Sequence, residues 1–509
     1  MRRNRLRTKS IGPIKITCSL SCSIVIGQIF WTYLKVPRPW SILFSHIPIK
    51  GTLDVLKCSW QFLLLQSVEM TISDDAIKLK SKTNSPIGKV EEAFDSQASN
   101  LPQAPEHDVE LANFTASYVN LVKTIIGSGI LALPAALVTL GLFPGIFMMF
   151  VAAGLCVLGL HLLNVAAMQL GRKSSFSGLC SITYPQAAFA FEFAIAIKCI
   201  GAGISYLSIA GKTSRALAEE LLVPSLGSTG FFASLAQSKA FWTLFWALLI
   251  SPICLMRKMD SLKYTSFAGL ATVLYLVLLT VWNYFKDPAA SFAKIPLIPA
   301  QFTWRICSAY SMFVFAFTCH HNILAIQNEA KDNTPSGMMS IVGSSVVTSA
   351  VPYFLVSIFG AATYGKDVKG VILDSFPTDQ LPFIIARFMY VFLLVLSFPL
   401  QVFPCRICIE KMTLTALPHF SKKNSLYMAS TFGIIVLCTA VGALDYDITL
   451  ALKWVGATAG TFICYFLPAV IYNKLYMGTR MDWRRISAIG LFFAGCLTLV
   501  LSVIGLVLA

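Results

Sequence analysis

Asn120-Leu-Val-Lys123-Thr124-Ile-Ile-Gly127-Ser128-Gly129-Ile-Leu-Ala-Leu-Pro134 decides the fold class: it is apolar enough for a bilayer, yet ill suited to cross one as an unbroken helix. Two glycines bracketing a serine each cost roughly 1 kcal/mol of helix propensity, and Gly/Ser clusters are sites of kinking. Backbone groups released inside hydrocarbon are tolerated only where they line a cavity and meet a partner. The positive end of the half-helix beyond the break suits a carboxylate. The competing reading of the same residues is close helix packing through small side chains.

Working outward, apolar runs of spanning length occur at 114–139, 143–170, 187–210, 239–256, 265–284, 303–327, 339–363, 382–404, 426–444, 449–473 and 486–508. A spanning helix needs about 20 apolar residues. The spacing therefore predicts an all-α polytopic membrane protein with eleven transmembrane helices. Composition agrees, with 56% hydrophobic and 13% charged residues and a mean hydropathy of +0.71. An average soluble domain carries about 25% charged residues, so a cytosolic enzyme is excluded. Connections after even-numbered spans hold fourteen Lys/Arg, against seven after odd-numbered ones. The positive-inside bias puts the even connections and the N-terminus in the cytosol. Eleven spans then leave the C-terminus lumenal or extracellular, and the acceptor-like Asn113-Phe-Thr115 on the cytosolic side, where it would go unglycosylated.

Ahead of this domain, expected at 113–509, residues 70–112 read as a disordered cytosolic tail, polar and poor in aromatics. Residues 1–69 carry ten Lys/Arg against Asp54 and Glu69. Three readings compete: a presequence, a further span at Ile16–Leu34, or an extension outside the working protein, which would then begin at Met70. No basic block interleaves with aromatics, so no nucleic-acid partner is expected. The fourteen cysteines lie mostly in apolar runs, where Cys behaves as a small hydrophobe. Cys405-Arg-Ile-Cys408 lacks a second pair at metal spacing.

The sixth apolar run contains Phe313-Val-Phe315-Ala316-Phe317-Thr318-Cys319-His320-His321-Asn322, followed by Glu329-Ala-Lys331-Asp332. Polar groups halfway along a span are rare and usually functional. Metal ligation by Cys319, His320 and His321 is not expected, since adjacent residues on one helix face different ways. Runs one and six lie five apart, and interrupted spans in corresponding positions point to a transporter's central site.

Together with Ser397-Phe-Pro-Leu-Gln401 and Leu467-Pro-Ala, these motifs give residues 112–509 a form that resembles the amino acid/auxin permease family, near its vacuolar and proton-assisted members. The resemblance implies the inverted 5+5 repeat of the bacterial leucine transporter plus an eleventh helix, and secondary active transport of amino acids without a cofactor. It implies that the amides of Gly127, Ser128 and Gly129 receive the substrate carboxylate. Carbonyls around Phe315, Ala316, Phe317 and Thr318 would receive the amino group, with Phe315 or Phe317 shaping the side-chain pocket. Sodium-coupled relatives carry Asn where this chain has Lys123. That ammonium, with Thr124 and span 8 near Ser397, would occupy a sodium ion's region, which favours protons over sodium. A Lys123 that merely snorkels to the interface is the competing reading. Lys198 is a further coupling candidate, Glu192 reads as interfacial, and His161 as either packing or relay. The chain is thus expected to move neutral amino acids, driven by protons, across a vacuolar, lysosomal or plasma membrane. The rivals are a sodium-coupled importer and a non-transporting amino acid sensor.

Overall fold

The structure, a computed structural model, describes residues 111–508 apart from 227–229, 257–262, 300, 418–422 and 479–480. The readings placed on 1–69 and 70–110 lie outside the described residues. The principal helices are α1 (Phe114–Ile125), α2 (Gly129–Leu140), α3 (Leu142–Ala167), α4 (Ala188–Leu221) and α5 (Lys239–Cys254). They continue with α6 (Lys263–Lys286), α7 (Trp304–Phe317), α8 (His320–Glu329), α9 (Pro335–Tyr364) and α10 (Leu381–Ser397). Last come α11 (Pro399–Ala416), α12 (Lys423–Ala443), α13 (Ile448–Val455), α14 (Leu467–Leu475) and α15 (Trp483–Val507). Between α13 and α14, Gly456–Gly460 and Phe462–Phe466 wind as π-helix.

Among the described residues, nine helical runs are long and apolar enough to cross a bilayer, and α1 with α2, bent by 53°, makes a tenth. α5, with 16 residues, is shorter. Every apolar run read from the sequence falls on one of these helices or helix pairs. The runs are not equivalent in depth. Of an 18-residue apolar stretch within each, 83% is buried in Trp304–Glu329 and 72% in Ile448–Leu475, against 28% in Trp483–Val507. The α7–α8 and α13–α14 runs, with the buried α1–α2 pair, therefore form the centre and α15 the rim. Large apolar side chains such as Phe143, Phe147, Phe150, Phe493 and Leu497 face outward, which suits a lipid solvent rather than water.

Helix starts follow from local sequence. Thr334 caps α9 by accepting from the Gly337 amide at 3.1 Å, with Pro335 at the first helical position. Asp447 and Asp482 do the same for α13 and α15, each at 2.9 Å, satisfying amides that have no intrahelical acceptor. Ala112 and Ala330 form a parallel bridge. The Ala112 amide donates to Glu329 O at 2.8 Å, and Lys331 donates to Ala112 O at 2.9 Å. The entry to α1 is thereby tied to the exit of α8.

Candidate functional site

The Gly-Ser-Gly run breaks its span as its propensities require. α1 stops at Ile125, Ile126 is extended (φ −80, ψ 102), and α2 restarts after Ser128. The second break falls at Thr318 (φ −74, ψ 98) and Cys319 (φ −123, ψ 1), between α7 and α8. The two breaks touch: a Cβ on Gly129 would lie 2.8 Å from Ala316 Cα and 2.9 Å from Ala316 Cβ. Gly129 is therefore required at this crossing.

The carbonyls released at both breaks meet side-chain donors from neighbouring helices. Tyr353 on α9 places its hydroxyl 2.7 Å from Ile125 O and 3.0 Å from Ala316 O, one acceptor in each broken span. Tyr390 on α10 donates to Gly127 O at 3.2 Å. The Cys156 thiol on α3 reaches Phe317 O at 3.2 Å. Thr318 turns its hydroxyl back to Val314 O at 2.5 Å and receives the Cys464 thiol at 3.2 Å. Ser205 donates to Ala202 O at 2.7 Å, which leaves Ser128 to donate to Ser205 at 2.9 Å. Phe317 packs edge-on to Tyr353, ring centroids 5.1 Å apart. Phe315 faces the first π turn, where a Cβ on Gly456 would lie 3.0 Å from its own Cβ.

The coupling candidates divide into two places. Lys198, 3% exposed, sits on α4 and donates to Gln401 Oε1 at 3.2 Å and to His321 Nε2 at 3.1 Å. Accepting at Nε2 puts the neutral imidazole's proton on Nδ1, and Nδ1 has no partner among the described residues. Gln401 in turn donates to the Tyr206 hydroxyl at 3.5 Å. That hydroxyl fills the space a Cβ on Gly127 would enter. A chain of polar contacts thus runs from Lys198 to Tyr206, whose ring packs against the first break. Ser397 lies one turn before Gln401, buried, its hydroxyl without a partner among the described residues. Lys123 and Thr124 close α1, and Thr124 receives Asn322 Nδ2 of α8 at 3.4 Å. Lys123 is 7% exposed, enclosed by protein rather than lying on its surface.

Glu192, read as interfacial, is buried, with Oε1 unpartnered among the described residues. His161 stacks on Trp483 at 5.9 Å and 11°. The expectation that Cys319 and His320 diverge does not hold, because Cys319 stands in the break rather than in a helix. Their ligand atoms lie within 4.8 Å of each other and of Cys156 Sγ. Sequence reasoning missed Tyr206, Tyr353, Tyr390 and the π turns, and it quoted Gln401 without giving it a role. Three hydroxyls and an amide within apolar spans were the available signal.

Residues 111–508 match the family described as "Transmembrane amino acid transporter protein". Vacuolar amino acid transporter 5 of Schizosaccharomyces pombe is 28% identical over 71% of this chain and 84% of its own length. Amino acid transporter AVT6B of Arabidopsis thaliana is 29% identical over 71% of this chain and 82% of its own. Among solved structures, MhsT in complex with L-phenylalanine superposes with a TM-score of 0.54 at 10% identity, over 78% of this chain and all of that one. At that identity the likeness concerns the fold, that of the bacterial leucine transporter. A helical membrane chain with two adjoining broken spans and this match belongs to the transmembrane amino acid transporter family, whose members are carriers and not enzymes.

Proposed function

We propose that the chain is a proton-coupled carrier of neutral amino acids in a vacuolar membrane, working by alternating access about its two breaks. Eleven spans, an inverted 5+5 repeat with one helix added and a cytosolic N-terminus complete this reading. The observation that carries it is the contact of the two breaks at Gly129 and Ala316. Amides of Gly127, Ser128 and Gly129 at the start of α2 receive the α-carboxylate, because a helix N-terminus offers donors and a positive field. The α-ammonium goes to the carbonyls of Phe315–Thr318, taking over from Tyr353 and Cys156, which bond Ala316 O and Phe317 O. Aromatic walls from Phe315 and Phe317 favour an uncharged side chain. Lys198, with His321 and Gln401, carries the coupling proton. Lys123, with Thr124 and with Ser397 of span 8, holds a cation's place beside the first break. The names of the vacuolar relatives support the compartment.

Purified full-length chain in liposomes, offered labelled neutral amino acids with and without a pH gradient, tests the proposal. Accumulation that follows the proton gradient in sodium-free buffer is expected. Accumulation only with sodium, or binding without flux, would overturn it.

A further inference from the structure

We propose a binding site for a thiophilic d10 cation, Zn2+, beside the second break, formed by Cys156, Cys319 and His320. One ligand atom from each of the three lies within 4.8 Å of the others, and all three residues are buried. They meet because the chain leaves the helix at Cys319 before His320 opens α8. Two thiols and an imidazole are the donor types that Zn2+ takes, and three protein ligands leave a fourth position open.

The second observation is His320 itself. It is fully buried, and neither Nδ1 nor Nε2 has a hydrogen-bond partner among the described residues. A buried imidazole without partners is costly, and binding a metal through one nitrogen removes part of that cost. α3 makes room for the ring. Gly159 lies one turn beyond Cys156 on the same helix face, and a Cβ there would come within 2.7 Å of His320 Nε2.

Charge admits a divalent ion. The Lys198 ammonium bonds the adjacent His321, so a complex with net positive charge would be repelled in this low-dielectric interior. Zn2+ held by two thiolates and a neutral imidazole has no net charge. Binding releases two thiol protons. It also takes Cys156 sulfur from Phe317 O, its acceptor at 3.2 Å.

The test needs no transport. Full-length chain in detergent, reduced and stripped with chelator, is titrated with Zn2+ against a chromophoric competitor. One equivalent is expected to bind, and Cd2+ in its place gives thiolate-to-metal charge-transfer absorbance. Cys156→Ser, Cys319→Ser and His320→Gln each weaken binding by about 10- to 100-fold or more, on the scale of losses at metal sites. Cys180→Ser and Cys496→Ser leave it unchanged. A readout on the unmodified chain covers variants that fail to fold: Zn2+ slows alkylation of Cys156 and Cys319, read by peptide mass spectrometry, and not of Cys180. Absence of stoichiometric binding, undiminished affinity in the Cys156 and Cys319 variants, or equal protection of Cys180 would each overturn the site.

Discussion

The two breaks reach similar backbone geometry by opposite routes. The first spends its helix propensity openly, on Gly127, Ser128 and Gly129, and α1 and α2 separate by 53°, the one broken span among the described residues that is bent beyond 40°. The second has neither Gly nor Pro between Phe313 and Asn322, and its chain continues from α7 into α8 without a bend of that size. What interrupts it is a set of side-chain partners: the Thr318 hydroxyl on Val314 O, the Cys156 thiol on Phe317 O and the Tyr353 hydroxyl on Ala316 O. One break is written in its own sequence. The other is imposed by its neighbours, and so is the more easily remade as regular helix.

That contrast can be tested from its strongest point downward. Gly129→Val is expected to abolish transport while the protein still reaches the membrane, since its Cβ would meet Ala316 Cα at 2.8 Å. Overpacking of this kind costs about 1–3 kcal/mol or more, and it falls where the two broken spans meet. Gly127→Ala should be milder than Gly129→Ala, because its Cβ meets the side chain of Tyr206 rather than backbone. Uptake kinetics of the two alanine variants decide this, and equal losses would erase the asymmetry.

Next comes Tyr353→Phe, which takes the shared hydroxyl from both breaks and leaves Ile125 O and Ala316 O short of a donor. A buried polar group left unsatisfied costs about 1–3 kcal/mol. A lower melting temperature and slower uptake are expected, against little effect from Tyr427→Phe, whose hydroxyl bonds carbonyls of Leu255 and Met256 away from the breaks. Lys198→Met and Lys123→Ala should weaken gradient-driven accumulation more than equilibrium binding of amino acid, with Lys198 the larger of the two. Binding in detergent paired with flux in liposomes separates the terms.

The smallest effect lies beyond α8. Asp332 accepts from the Thr334 amide at 3.1 Å and hydroxyl at 2.7 Å, which holds its carboxyl below the usual carboxylate range. With the folded value depressed, this contribution is present above the unfolded pKa and is lost as pH falls through the folded one. Asp332→Asn should lower the melting temperature slightly at neutral pH, and the difference should vanish in acid.

The sequence showed the helices and the first break because both rest on local properties: apolar runs of spanning length and a glycine pair. It showed the second break only as a polar interruption, Thr318 to Asn322. Its partners come from far along the chain, Cys156 from 161 positions away and Tyr353 from 37. Lys198 stood out as a charge within a span. Its partners His321 and Gln401, 123 and 203 positions distant, could not be assigned to it by periodicity. Tyr206, Tyr353 and Tyr390 read as packing, because a tyrosine in an apolar run is mostly ring. No composition marks a π turn.

Those π turns carry a consequence for register. A turn closed by i→i+5 bonds holds a residue that regular α winding would not accommodate, so Gly456–Phe466 stores surplus chain length inside an otherwise continuous rod. Deleting one residue there would let the winding relax to α. At 3.6 residues per turn, a deletion from a regular α stretch would rotate everything downstream by about 100°, whereas here the surplus residue absorbs the loss. After a deletion within Gly456–Gly460, Tyr465, bonded to Tyr310 at 3.1 Å, and Cys464, on Thr318, would therefore keep their face toward α7. Span 10 therefore meets deletions by two rules: in its π turns a lost residue straightens the winding, while in its regular turns a lost residue re-indexes a whole helix face.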